Sequence, residues 1–217
     1  MELKELERVL PEEIEKRSFE LITMELGEKI LDPECELVIK RVIHTTADFE
    51  YADNLTFSAE AVKKGVEAIR NGASIVTDTQ MAAAGINKAV LNSHGGRVFC
   101  FMSDGDVAVE AKERMLTRAA ICMERAANLD EKVIVAIGNA PTALIRLYEL
   151  IEEGKIRPEL IIGVPVGFVN VVESKELILK AQVPNIVARG RKGGSNVAAA
   201  ICNALIYLAN EQDGRRG

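Results

Sequence analysis

Residues 132–144 read KVIVAIGNAPTAL: an apolar run, a glycine-asparagine turn, then a proline that opens a helical pattern. A strand this apolar on both faces has to be covered on both faces, which is the condition of a parallel sheet rather than of a half-solvated hairpin. Pro141 suits the first turn of a helix, where its missing N–H costs nothing. The same order of events recurs on either side. Short apolar runs stand at 73–77 (ASIVT), 97–102 (RVFCFM), 159–164 (ELIIGV) and 184–188 (PNIVA), and helical patterns at 59–70, 106–127, 141–153, 170–181 and 195–209 separate most of them. Ser58 reads as the N-cap of the first of these helices, and Gly72 closes it. Strands alternating with helices predict a three-layer, doubly wound α/β architecture with right-handed crossovers around a five-stranded parallel sheet.

Upstream, Pro11 opens a helical pattern with Ile14, Leu21, Ile22 and Met24 among its apolar positions. In a second helix, Asp32 can serve as cap with Pro33 in the first turn, followed by the stripe Cys35, Val38, Ile39, Val42 and Ile43. His44 comes one residue after that stripe, where it should border the core and the following loop. The expected organisation is one domain over 1–217, with a helical segment at about 1–50 and the α/β core at about 54–209. Apolar residues make up 48% and charged residues 28% of the 217, as in ordinary water-soluble proteins. No apolar run approaches the roughly 20 residues of a membrane span, and MELKELERVLPEEIEK has no apolar signal core, so a cytoplasmic chain is expected. The net charge of −6 argues against nucleic acid or an anionic membrane as partner. Cys35, Cys100, Cys122 and Cys202 are scattered, and with His44 and His94 they give no metal-ligand spacing, so buried reduced thiols are expected.

In sheets of this kind ligands sit beyond the carboxyl ends of the strands. The segments there read TDTQMAAAGI (77–86), MSDGD (102–106), GNAPTAL (138–144), GVPVGFV (163–169) and ARGRKGGS (188–195), a gathering of Gly, Asn, Thr, Ser and Lys. Neither the GxxxxGK[ST] phosphate loop nor the GxGxxG dinucleotide fingerprint occurs. GRKGGS reads equally as an anion cradle at the start of a helix or as a glycine turn with solvated basic residues. Asn139 and Thr142 can cap a helix or touch a ligand. Arg118, within the 106–127 pattern, can be a surface charge. From spacing alone, His44 is a helix-end histidine favoured by the helix dipole.

Taken together, RVIHTTAD (41–48), GNAPTAL, GVPVGFV followed by ESKE (173–176), and GRKGGS followed by NAL (203–205) resemble the precorrin-8X methylmutase family, in that order, over about Arg17 to Leu208. The resemblance implies a flavodoxin-like strand order 2-1-3-4-5, a homodimer, and an intramolecular methyl shift from C11 to C12 of a corrinoid precursor with no external cofactor. It implies His44 as the catalytic residue. Ser18, Arg118 (paired with Thr117), Asn139, Thr142, Ser174, Lys175, Lys192 and Ser195 become substrate-binding candidates, with Met81, Val166 and Phe168 facing the macrocycle. His94 matches no active residue of the family and reads as structural. A 1,5-sigmatropic shift needs a substrate held in one geometry and a proton donor near the conjugated ring, and an imidazole can serve as that donor at neutral pH. HTTADFEY leans toward the cobalt-bound substrate. Two other readings stay open: a non-catalytic corrinoid carrier, and a flavin- or nucleotide-binding regulatory domain.

Overall fold

The computed structural model describes residues 9–212. Six strands form one mixed sheet: β1 Leu55–Phe57, β2 Ser74–Thr77, β3 Val98–Phe99, β4 Val133–Ile137, β5 Leu160–Gly163 and β6 Asn185–Ala188, in spatial order β1-β6-β5-β4-β2-β3. Strands β2 to β6 pair in parallel. The sixth strand corrects the five-stranded parallel expectation: β1 runs antiparallel along β6, with Leu55 opposite Ala188 and Phe57 opposite Ile186. At three residues, two of them only half-buried, it carries no apolar run to betray it. It covers what would otherwise be a free edge of β6.

The two-faced burial of the strands follows from their composition. Along β4, Ile134 and Ala136 enter one core, while Val133, Val135 and Ile137 enter the other. The first core lies under α2 (Glu36–Thr46), α4 (Ala61–Arg70) and α11 (Ser195–Gln212), through Val42, Ile69, Ile201 and Leu205. The second lies under α8 (Arg118–Ala127), α9 (Pro141–Glu152) and α10 (Val171–Lys180), through Ile121, Leu144, Leu147 and Ile178. Further helices are α1 (Ile14–Leu26), α3 (Tyr51–Asn54), α5 (Gln80–Gly85), α6 (Lys88–Ser93) and α7 (Gly105–Glu113). Among the described residues no helix is long and apolar enough to cross a membrane. The four cysteines are free, and burial pushes the thiols of Cys122 and Cys202 up to about 12.

Several local expectations are corrected. The 106–127 pattern is two helices, α7 and α8. Met115 adopts a left-handed φ of 53°, Leu116 N–H donates to Ala111 O, and the Thr117 hydroxyl caps α8 by accepting from Ala120 N–H. Segment 97–102 is a two-residue strand followed by a 3-10 turn at Phe101–Ser103. The stretch 77–93 holds two short helices, α5 and α6, capped by Thr79 and Asn87. Asp32 caps a turn, accepting from Glu34 N–H, and α2 begins at Glu36. Ser58 does not cap α4, which begins at Ala61; its hydroxyl accepts from Asn185 N–H at the start of β6.

Candidate active site

The loops that leave the parallel strands are tied together from beneath by side chains at the end of β2. Asp78 is fully buried, and its carboxylate accepts from Gly138 N–H at 2.9 Å, Asn139 N–H at 2.9 Å and Ala140 N–H at 2.7 Å. The three donors belong to the β4–α9 turn. Its cap position is Ala140, which has no polar side chain, and Pro141 brings no N–H. Neither Asn139 nor Thr142 caps α9, and the Asp78 carboxylate holds the three residues that lead into the helix. Burial raises the Asp78 pKa, and the three N–H donors partly offset that. The turn also packs closely on the next loop, because a Cβ on Gly138 would lie 2.7 Å from the Ser195 Cα.

Around this knot the rim residues take up their positions. The Thr79 and Ser195 hydroxyls meet at 2.8 Å, joining the end of β2 to the start of α11. Thr117 donates to the Thr142 hydroxyl at 2.9 Å, joining α8 to α9. Arg118 is the first residue of α8, not an interior helical position, and its side chain is exposed with one long contact of 3.5 Å to Met102 O. The Asn139 side chain is exposed and makes no hydrogen bond among the described residues.

Segment 190–195 is the second knot. Lys175 is fully buried, and its Nζ donates to Gly190 O and Lys192 O at 2.8 Å each. Desolvation alone pulls its pKa down to about 8. Gly194 N–H donates to Val164 O, and a Cβ on Gly193 would lie 2.1 Å from that same oxygen, so only glycine fits there. Ser174 is fully buried and donates to Val171 O. Ser174 and Lys175 thus face inward and hold the rim from behind, rather than standing on it. Lys192 lies 2.6 Å from Asp48 and 2.9 Å from Glu50 and so bridges this loop to the segment after α2. Its pKa is raised, chiefly by the Asp48 hydrogen bond. Arg191 stacks over Phe168 at 5.3 Å, and Phe168, Val169 and Met81 are 80%, 79% and 71% exposed, an apolar surface on the rim.

His44 stands in the last turn of α2 and is exposed, which corrects the expected border with the core. The neighbouring polar groups do not orient its ring either. Thr45 and Thr46 turn back to Arg41 O and Val42 O, and among the described residues His44 makes no hydrogen bond. What it does touch is Phe19, edge to face with centroids 5.8 Å apart. Phe19 is itself held by Arg41, buried between the Phe19 and Tyr207 rings and paired with Glu15. Ser18 precedes Phe19 on α1 and donates to Ile14 O. His94 lies at the C-cap of α6, in another part of the molecule's sequence and of its helical layer.

The structure therefore brings Arg118, Asn139, Thr142 and Ser195 onto one tied rim, links Lys192 to the loop following His44, and leaves Ser174 and Lys175 behind the surface. The residues missed from sequence are Asp78, Thr79 and Asp48. The only available signal for the first two was a polar Thr-Asp-Thr placed directly after a buried strand.

Comparison with known proteins adds four findings. The precorrin-8X methylmutase family model matches residues 13–208. The chain is 47% identical over 202 residues to the cobalt-precorrin-8 methylmutase of Priestia megaterium (93% of this chain, 90% of that protein). It is 39% identical over 194 residues to the precorrin-8X methylmutase of Pseudomonas aeruginosa (88% and 93%). The crystal structure of precorrin-8X methyl mutase from Thermus thermophilus superposes with a TM-score of 0.83 at 41% identity, covering 94% of this chain and all of that one.

Proposed function

The chain belongs to the precorrin-8X methylmutase family, and from that premise we propose that it is an isomerase of cobalamin biosynthesis. It moves a methyl group from C11 to C12 of cobalt-precorrin-8 or precorrin-8X, giving cobyrinate or hydrogenobyrinate. The observation that carries the reading is the Lys192 bridge to Asp48, which ties the 190–195 loop to the segment that follows the exposed His44. The migrating methyl breaks one C–C bond and forms another on the same molecule, so no electrons or atoms leave, and no external cofactor is needed. The chain's task is to hold the macrocycle in one conformation and to supply and recover a proton.

In this reading the carboxylates around the substrate meet Arg118, Asn139, Thr142, Ser195 and, near α1, Ser18. The macrocycle lies against Met81, Val166 and Phe168, and His44 donates its proton toward the conjugated ring. Lys192 joins the carboxylate set by exchanging Asp48 and Glu50 for substrate. Ser174 and Lys175 contribute by holding the 190–195 loop. The exposed apolar rim and the uncovered His44 favour a homodimer in which a second subunit closes the site. The net charge of −6 leaves nucleic acid and membrane out of the partner list, and we read the chain as one cytoplasmic domain with a flavodoxin-like order in its parallel strands.

Asp78 also bears on the flavin or nucleotide alternative. The N–H groups of the β4–α9 turn that would cradle a phosphate are already taken by a carboxylate. The higher identity to a cobalt-precorrin-8 enzyme favours the cobalt-bound substrate. The test is to incubate purified protein, without added cofactor, with each of the two substrates. Conversion to a product of unchanged mass and altered visible spectrum, faster with cobalt, supports the proposal. Binding without conversion identifies a carrier and overturns it.

A further inference from the structure

Asp78 is a charged side chain that the methyl shift itself does not call for, yet it is among the few charged groups fully buried in the described residues. A buried carboxylate is costly unless its oxygens are satisfied, and here three hydrogen bonds go to one turn. Oδ1 accepts from Gly138 N–H, and Oδ2 accepts from Asn139 N–H and Ala140 N–H. That turn leads into α9, whose cap residue is an alanine with no side-chain cap and whose first helical residue is a proline. The residues on either side of Asp78 reach the other rim loops. Thr77 donates to Phe99 O at the end of β3, and Thr79 caps α5 and meets Ser195 at α11. One three-residue segment thus links the loops after β3, β4 and β6.

We propose that Asp78 is a positioning residue for the methylmutase reaction: by clamping the backbone of residues 138–140, it fixes the exposed Asn139 amide, and with it Thr142, in the arrangement that receives a substrate carboxylate. The inference rests on the functional reading above and goes beyond it by naming the group that pre-organises that subsite. An amide in place of the carboxylate turns an NH₂ toward one set of these N–H donors, and the turn loses its clamp while its side chains remain. The affinity that Asn139 supplies then depends on Asp78, although the Asn139 side chain makes no hydrogen bond to the Asp78 carboxylate.

That dependence is measurable as a double-mutant cycle on corrinoid binding, using hydrogenobyrinate as the titrated probe and its visible spectrum as the signal. Asn139→Ala alone is expected to weaken binding about tenfold, the scale of one hydrogen bond to a charged group. Asp78→Asn is expected to weaken it by at least as much, with the fold and single-turnover rate at saturation retained. In the double variant the Asn139→Ala loss should shrink to about twofold or less, because the amide is no longer presented. Full additivity of the two losses, or an Asp78→Asn protein that binds like wild type, overturns the positioning role while leaving the active-site reading intact. No effect of Asn139→Ala by itself removes the subsite and the inference with it. Amide hydrogen exchange on the wild-type protein gives a second test that does not depend on a foldable variant. The N–H groups of 138–140 should be protected before any corrinoid is added; protection that appears only on binding hydrogenobyrinate contradicts a preformed clamp.

Discussion

At the strand ends, Asp78 holds three N–H groups of the β4–α9 turn, Thr79 meets Ser195, and Lys175 anchors Gly190 and Lys192 by their carbonyls. His44, by contrast, stands exposed at the end of α2, against the Phe19 ring and without a hydrogen bond among the described residues. The first region spends buried charges on fixing backbone; the second leaves its imidazole in open solvent. The difference matches two jobs. Groups that recognise carboxylates gain from being fixed before the ligand arrives, because ordering them afterwards lowers affinity. A proton donor that must be recharged after each turnover gains from access to water until the site closes.

The comparison is broken most severely at His44. Replacement by alanine should lower turnover by about 10²–10⁴-fold, while product affinity, which the proposal assigns to the fixed rim, stays within a few-fold of wild type. A parallel fall in affinity would show that the two regions are not divided in this way.

Lys175 is the next largest. Burial pulls its pKa from 10.5 to about 8, so between those values the native protein holds fewer protons than the unfolded chain. The sign follows: this group's contribution makes the fold more stable as pH rises from 8 to 10.5, by at most about 3 kcal/mol. Lys175→Met should lose that contribution. Urea unfolding at both pH values should therefore show the wild type gaining relative to the variant as pH rises. Parallel behaviour of the two proteins would mean that the lysine is not held as the structure has it.

Arg118 should matter less. It sits at the open end of α8 with one long contact, so Arg118→Ala should leave stability nearly unchanged and weaken corrinoid binding by about 1–3 kcal/mol, readable by titration. Unchanged affinity would move it off the binding face.

The fold was legible where burial is continuous. KVIVAI and ELIIGV are apolar on both faces because both faces are covered, and the turn after each carries its own glycine. Short elements were not legible. β1 has three residues at an edge, and the α7–α8 break depends on one left-handed methionine that no local residue preference announces, although the Thr117 cap beside it is readable afterwards. In the candidate site, the sequence singles out His44 and the rim loops, but not which of their side chains face inward and which stand exposed. Asp78 and its turn are 60 residues apart, and nothing in GNAPTAL says that its backbone donors are met from elsewhere. ESKE likewise gives no sign that its serine and lysine point inward; that is set by the packing of α10 against the 190–195 loop.

The central claim, that a pre-tied rim binds and an exposed imidazole does the chemistry, is tested most directly by His44→Asn. The amide can hydrogen-bond but cannot deliver an acidic proton. On one preparation of this variant, single-turnover conversion of the substrate should be measured against wild type, with product affinity and folding recorded alongside. The account predicts a folded protein that binds product normally and converts substrate at least about a hundredfold more slowly. Near-normal conversion by that folded variant would contradict it and reduce His44 to a residue that positions the substrate.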